Sequence, residues 1–329
     1  MPTIVAQIAP QRSTQYTEMV TELAPYEIEL STIGSNIIDS IQTVTLGSHN
    51  YLKFQLDTKV DDTHKAAFNQ LAMTDGYFLY HDRIDSVEGP FLLPIDIPTN
   101  TFLPHSLIAT RRYRGKTNEL FTQFICNIAR YSSAYKSTPW HKLTLLDPLA
   151  GGGTTLFAGL ILGADVVGVE KDKKVVESTV AFIKQYAKEG KIPAKYREDR
   201  LKNVGKRWFI TLNQSARCVV GHGDTSEVKH FVNGLKRPQL IVTDLPYGIQ
   251  HASEWQEMLV SALPAWSSML ADGGAMAFSW NATRFVRGDM IQLVESISDF
   301  KVLNHPPYDA LSHQVDRVIK NRDVIVAHL

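Results

Sequence analysis

From residue 143 onward the chain alternates short apolar runs with stretches of helical periodicity, and four of the runs end at or near an acid. Residues 143–146 run into Asp147, 165–169 into Glu170, 217–220 towards Asp224 and 240–243 into Asp244. Two further apolar runs occupy 274–278 and 323–328. Between them, 154–162, 175–186 and 254–270 read as helices, as does 118–131 upstream, with Thr117 or Asn118 as its cap. Strands alternating with helices predict an α/β fold, a mostly parallel sheet with helices on both faces. Ligands of such sheets bind beyond the carboxyl ends of the strands. The four acids fall at those ends.

With 329 residues, 44% hydrophobic and 21% charged, the chain is expected to form two domains. Residues 1–100 are expected to be a smaller, acidic α+β domain, with substrate recognition as one candidate role, and 105–329 the α/β domain. Within the first part, 51–56 alternate like a strand, 64–73 resemble a helix, and 88–98, with three prolines, read as a linker or domain edge. The formal net charge is zero, yet residues 1–100 hold 5 Lys+Arg against 13 Asp+Glu, a net of −8 that leaves +8 elsewhere. Only the second part is then suited to a polyanion. The plain alternative is that an acidic and a basic domain coexist.

Cys126 and Cys218 cannot supply a disulfide framework or a cysteine metal site. The histidines His222, His251, His305 and His313 are scattered, so no metal is expected. The first ten residues lack a secretory pattern, and no apolar run approaches the ~18 residues of a bilayer span. A soluble, cytoplasmic protein with no membrane partner is expected, of open oligomeric state.

The stretch LLDPLAGGGTT (145–155) places Gly151, Gly152 and Gly153 between a strand and a helix. Glycine lets the backbone turn tightly and approach a ligand closely. The loop lacks the Lys-Ser/Thr of a phosphate loop, and the Lys-Thr at 116–117 follows neither a strand nor the required upstream glycine. Glu170 stands where an acid would hold ribose hydroxyls. Asp147 at the loop entrance would repel a pyrophosphate but attract a ligand bearing a sulfonium and an ammonium. Glu170 is otherwise a solvated strand end, and Asp224 a helix cap.

The stretch LIVTDLPYGIQ (240–250) delivers Asp244, Leu245, Pro246 and Tyr247 from a buried strand. An exocyclic amine is a poor nucleophile because its lone pair is delocalised. A carboxylate and a backbone carbonyl that accept its N–H groups localise that pair, and an aromatic ring stacks on the base. Asp244, the carbonyl of Leu245 or Pro246, and Tyr247 are those parts; an ordinary strand exit is the bland alternative. The NHPPY sequence at 304–308 looks like the same pattern with one residue inserted; following a weaker run at 300–303, it reads as a loop near the target pocket, with the true site itself as the alternative.

Together these residues resemble class I S-adenosylmethionine-dependent amino-methyltransferases. DPLAGGGTT is similar to their first motif, D-P-x-x-G-x-G-T, with Gly152 at a variable position. Asp244–Tyr247 resembles D/N-P-P-Y, with Leu245 where proline is usual. The resemblance covers roughly 105–329 and implies a Rossmann-like sheet binding S-adenosylmethionine. It implies that Asp147, Pro148, Ala150, the three glycines, Thr154 and Thr155 form the donor loop. Glu170 and Lys171 would lie by the ribose, and Asp224 and Thr225 by the adenine. Arg111, Arg112, Arg114 and Lys116 beside Tyr113 resemble the segment lining the donor's methionine end; a solvated basic helix start is the alternative. Residues 184–207 hold nine Lys+Arg against three acids. They read as an insertion that either tracks phosphates or is a solubilising helix.

The nearest resemblance is to the RNA methylases that include tRNA guanine-N2 methyltransferases, although residues 1–100 show no THUMP pattern. It implies a nucleic-acid substrate, RNA before DNA, presented as an unstacked base. DNA adenine-N6 or cytosine-N4 methylation, protein or small-molecule amino-methylation, and a non-catalytic cofactor-binding module remain open.

Overall fold

The structure, a computed structural model, describes residues 1–11, 13–98, 101–246, 252–315 and 320–329, with side chains at all of these but 15 and 252–254. Strands β1 (Thr3–Ile8), β2 (Gln42–Leu46), β3 (His49–Gln55), β4 (Thr74–Ile84) and β5 (Val87–Pro94) form an antiparallel sheet in the order β2-β3-β1-β4-β5. Helices α1 (Thr14–Leu30) and α2 (Asp62–Phe68) complete this α+β unit. Helix α1 buries Met19, Val20, Leu23, Ala24 and Ile28, one stripe at helical spacing. Helix α2 starts where Asp61 accepts the His64 backbone N–H at 3.0 Å. Residues 88–98 are not simply a linker, because most of β5 lies there. β5 is an edge strand, where proline's missing N–H costs no ladder bond on the open side.

After α3 (Ser106–Thr110), helix α4 (Glu119–Tyr131) begins at Asn118, whose Oδ1 accepts the Phe121 N–H at 3.1 Å. The chain then runs through β6 (Thr144–Asp147), α5 (Thr154–Leu162), β7 (Asp165–Glu170), α6 (Lys173–Glu189), β8 (Ala194–Leu201), β9 (Gly205–Leu212) and β10 (Ala216–His222). It continues through α7 (Val228–Val232), β11 (Leu240–Asp244), α8 (Ala252–Met269), β12 (Ala275–Asn281), α9 (Arg287–Ile297), β13 (Lys301–Val302) and β14 (Arg322–His328). The nine strands lie in the order β13-β14-β12-β11-β6-β7-β10-β9-β8. Neighbours from β12 to β10 run parallel, and β14 is antiparallel to both β12 and β13. This is the α/β architecture expected from the sequence, a mostly parallel sheet with helices on both faces. From β6 the chain builds towards β10 on one side and later towards β12 on the other, so the crevice between β6 and β11 is the topological switch point.

One local expectation changes, and one segment can be placed more closely. Residues 184–207 end α6 and then supply β8 and the turn into β9, a hairpin that widens the sheet rather than a long helix. The sequence at 304–308 lies beside β14, where Arg287 ties the Asn304 side chain and the Tyr308 carbonyl to Asp323 and Val324; Val324 is level with Asp244, two strands away. The Tyr308 hydroxyl accepts the Ser132 hydroxyl at 3.0 Å, at the end of α4.

The two units meet at α4, which packs against α1 on one side and against β11 and β12 on the other. The Glu27 carboxylate, fully buried on α1, accepts the N–H groups of Ala72 and Met73 and the Asn127 amide of α4, at 2.7–3.0 Å. Burial holds this carboxyl above its usual range despite those bonds. Glu27→Gln turns an amide N–H₂ towards donors and is expected to lower unfolding stability by about 2 kcal/mol, read from urea denaturation.

Candidate active site

Parallel pairing aligns the strand ends. Asp147 stands level with Gly168 on β7, Glu170 with His222 on β10, and Asp244 with Ser279 on β12. Asp147, Glu170 and Asp244 therefore share one rim. Asp147 is 2% exposed and accepts the Thr243 hydroxyl at 2.7 Å and the Leu149 N–H at 3.1 Å. Thr243 belongs to β11, so the glycine loop and the strand carrying Asp244 are tied side by side. Burial pushes the Asp147 carboxyl up to about 6, opposed by hydrogen bonds from Thr243, Thr155 and Leu149 and reinforced by the Asp244 charge.

The loop turns within a few residues. The Ala150 N–H reaches back to the Val169 carbonyl at 2.9 Å, the Gly153 N–H to Ala150 at 2.8 Å, and Gly153 adopts φ 89°, a left-handed conformation that favours glycine. Glu170 accepts the Gly151 N–H at 3.1 Å and the Asp172 N–H at 2.7 Å, which fixes the second strand end against the loop. A Cβ at Gly152 would collide with the Tyr113 ring, and the Tyr113 hydroxyl bonds Thr154. Pro148, Ala150, Thr154 and Thr155 are buried.

Asp244 is held at both oxygens. Oδ2 accepts the Thr117 hydroxyl at 2.6 Å, and Oδ1 accepts the Ser279 hydroxyl. The Leu245 N–H donates to the Ser279 carbonyl at 2.8 Å, its side chain is buried, and Pro246 is exposed. This anchoring stands in for some of the rigidity that a proline at 245 would supply. Tyr247 lies outside the described residues.

The basic segment is arranged less simply than its sequence suggests. Lys116 is bound by the Ile108 carbonyl at 2.6 Å and by Glu119, and Arg114 is exposed. Arg111 donates to Ser178 on α6 at 3.1 Å. Tyr113 is the residue of this segment that touches the glycine loop. Lys171 is exposed beyond Glu170. Asp224 caps the following turn, accepting the Ser226 N–H at 2.9 Å with its side chain at the surface, while the buried Thr225 hydroxyl accepts the Trp266 N–H at 3.0 Å. Thr117, Thr243, Ser279 and Tyr113 are the site residues that motif reasoning passes over. Thr117 carried a cap signal and Tyr113 lay among the arginines; Thr243 and Ser279 gave none.

The charge of the rim constrains its ligand. Among the described residues, Asp147, Glu170 and Asp224 are in no ion pair with Lys or Arg, whereas Asp165 and Asp323 are paired with Arg217 and Arg287. A crevice with uncompensated carboxylates fits a cationic ligand and repels phosphates. The described residues include no group of three or more His, Cys, Asp or Glu able to hold a metal ion, and no helix long and apolar enough to cross a membrane.

No protein-family model and no curated protein matches the chain. Among solved structures, TrmN from Thermus thermophilus is 11% identical over 100% of this chain and 99% of its own, with a TM-score of 0.46. The rRNA methyltransferase aviRa from Streptomyces viridochromogenes is 13% identical over 67% of this chain and 88% of its own, at 0.41. RsmC, a 16S rRNA methyltransferase of T. thermophilus, is 16% identical over 89% of this chain and 57% of its own, at 0.40. At identities this low, function has to be argued from the site itself.

Proposed function

We propose that the chain is an S-adenosylmethionine-dependent methyltransferase acting on an exocyclic amino group of a nucleic-acid base, in RNA before DNA. The observation that carries this is the Thr243–Asp147 bond, which places the glycine loop directly beside an Asp244 fixed at both oxygens. The donor supplies an electrophilic methyl on a sulfonium. Asp147, Glu170 and the loop from Gly151 to Thr155 hold it, and their uncompensated charge suits its cations. Asp224 and Thr225 follow β10, the strand beside the one that ends at Glu170, and would accommodate the adenine there.

Asp244 accepts one N–H of the target amine, and the Leu245 or Pro246 carbonyl takes the other, so the nitrogen lone pair faces the methyl. The bound donor would supply the methyl by breaking its S–C bond and leaving as a neutral thioether, and Asp244 is placed to take the proton that the methylated nitrogen releases. Thr117 and Ser279 keep the carboxylate from rotating out of line. Tyr247, one residue after Pro246, is the stacking platform for the base, and guanine N2 in tRNA is the specific target within this reading.

Incubation with methyl-labelled donor and separate pools of bulk RNA, DNA and protein tests it. Label is expected in RNA and, after digestion, in a nucleoside methylated on its exocyclic nitrogen. Label confined to DNA or protein would replace the substrate assignment, and no label in any pool would remove the catalytic one.

A further inference from the structure

The basic stretch after α6 is left unused by the site just described, yet the fold brings it to the same rim. β9 pairs with β10 so that Lys206 stands opposite His222, itself opposite Glu170. The turn between β8 and β9 therefore lies level with the carboxyl ends of β6 and β11. Five interstrand steps separate β11 from β8, about 24 Å at about 4.8 Å each. The turn is pressed into place, because a Cβ at Gly205 would overlap the His222 carbonyl oxygen.

The outer strand and turn carry Lys195, Arg197, Arg200 and Lys202, all exposed. Arg197 is paired with Asp199, and Lys206 with Glu198. Among the described residues, Lys195, Arg200 and Lys202 are in no ion pair. Aromatic rings lie against cations on both faces of the hairpin: Tyr196, 43% exposed, with Lys184 over its ring on one face, and Phe209 with the Arg197 and Arg207 guanidiniums over its ring on the other. The acidic N-terminal unit, net −8, packs through α4 against β11 and β12, towards the other end of the sheet.

We propose that the β8–β9 hairpin is a guide for the phosphate backbone of single-stranded RNA, holding the strand on the rim while a base is presented at Asp244. The proposal rests on the functional reading above and adds the place where the substrate is gripped. The competing role for charges on an edge strand is to block sheet-to-sheet pairing. That role leaves RNA affinity unchanged when the charges are altered.

The test is binding of a fluorescein-labelled, unstructured RNA of about 20 nucleotides to the full chain, by anisotropy between about 50 and 200 mM KCl. Arg200→Glu with Lys202→Glu is expected to raise Kd at least tenfold at the lowest salt. The slope of log Kd against log salt should fall by about 1.4, two phosphate contacts at about 0.7 each. Lys59→Glu with Lys301→Glu makes the same change in net charge away from the hairpin and is expected to alter Kd less than threefold. Unchanged affinity in the hairpin variant, or equal weakening by both double variants, overturns the guide. If wild type binds RNA with the hairpin-dependent slope but methylates none of it, the functional reading fails while the guide stands.

Discussion

Asp244→Ala is expected to lower the methyl-transfer rate about 10³-fold while leaving donor affinity within a few-fold of wild type. The variant removes the acceptor that localises the amine lone pair. It also leaves the Thr117 and Ser279 hydroxyls without their present acceptor, which at this partly exposed position water replaces. The fold should survive, because the β11 ladder and the Leu245-to-Ser279 backbone bond do not depend on the side chain. Asp244→Asn sharpens the test. It keeps an acceptor oxygen but loses the charge, so a loss of roughly 10–100-fold is expected, smaller than for alanine. Single-turnover rates with separately measured donor binding distinguish these outcomes. Full turnover by the alanine variant would show that Asp244 is not the amine acceptor.

The parts of this site that were legible in the sequence are those whose signal is local. A buried parallel strand is a continuous apolar run, and its carboxyl end is marked where the run stops at Asp147, Glu170 or Asp244. The glycine turn is likewise contained within a few adjacent residues. The hydroxyls that set the carboxylate geometry come from elsewhere in the chain. Thr117 is 127 positions from Asp244, Ser279 is 35 away, and Thr243 is 96 from Asp147. No periodicity reports pairings at such separations; only the strand order does.

The misread segments share a different cause. β8 and β5 are edge strands, and an edge strand has no need of a continuous apolar face. Residues 194–201 therefore look like a charged insertion, and the prolines in β5 look like a linker. Lys116 illustrates the converse case. Its sequence context suggests a ligand-facing cation, but a lysine side chain is long enough to reach the Ile108 carbonyl and Glu119, and it does. The type of residue was visible; its direction was set by tertiary packing.

Asp147→Asn is expected to make the protein more stable and less able to bind its donor. The Asp147 carboxyl is pushed up to about 6, from an ordinary value near 3.8. An acid whose folded value is raised binds more protons when folded than unfolded across that interval. Its favourable contribution is therefore complete below about pH 4 and is lost as pH rises through about 6. At neutral pH the ionised group costs the fold up to about 3 kcal/mol. Asparagine removes the charge and retains acceptors for Thr243 and Leu149. The thermal midpoint should rise by several degrees at pH 7.5, and the difference from wild type should shrink to roughly a third of that by pH 4.5 and vanish below about pH 4. Donor affinity should move the opposite way, falling about 100-fold in the variant at pH 7.5, because a sulfonium and an ammonium lose a carboxylate partner. In wild type it should fall about tenfold per unit as pH drops below about 6. A variant less stable than wild type at pH 7.5, with donor binding intact, would mean that the buried carboxylate serves the fold rather than the ligand.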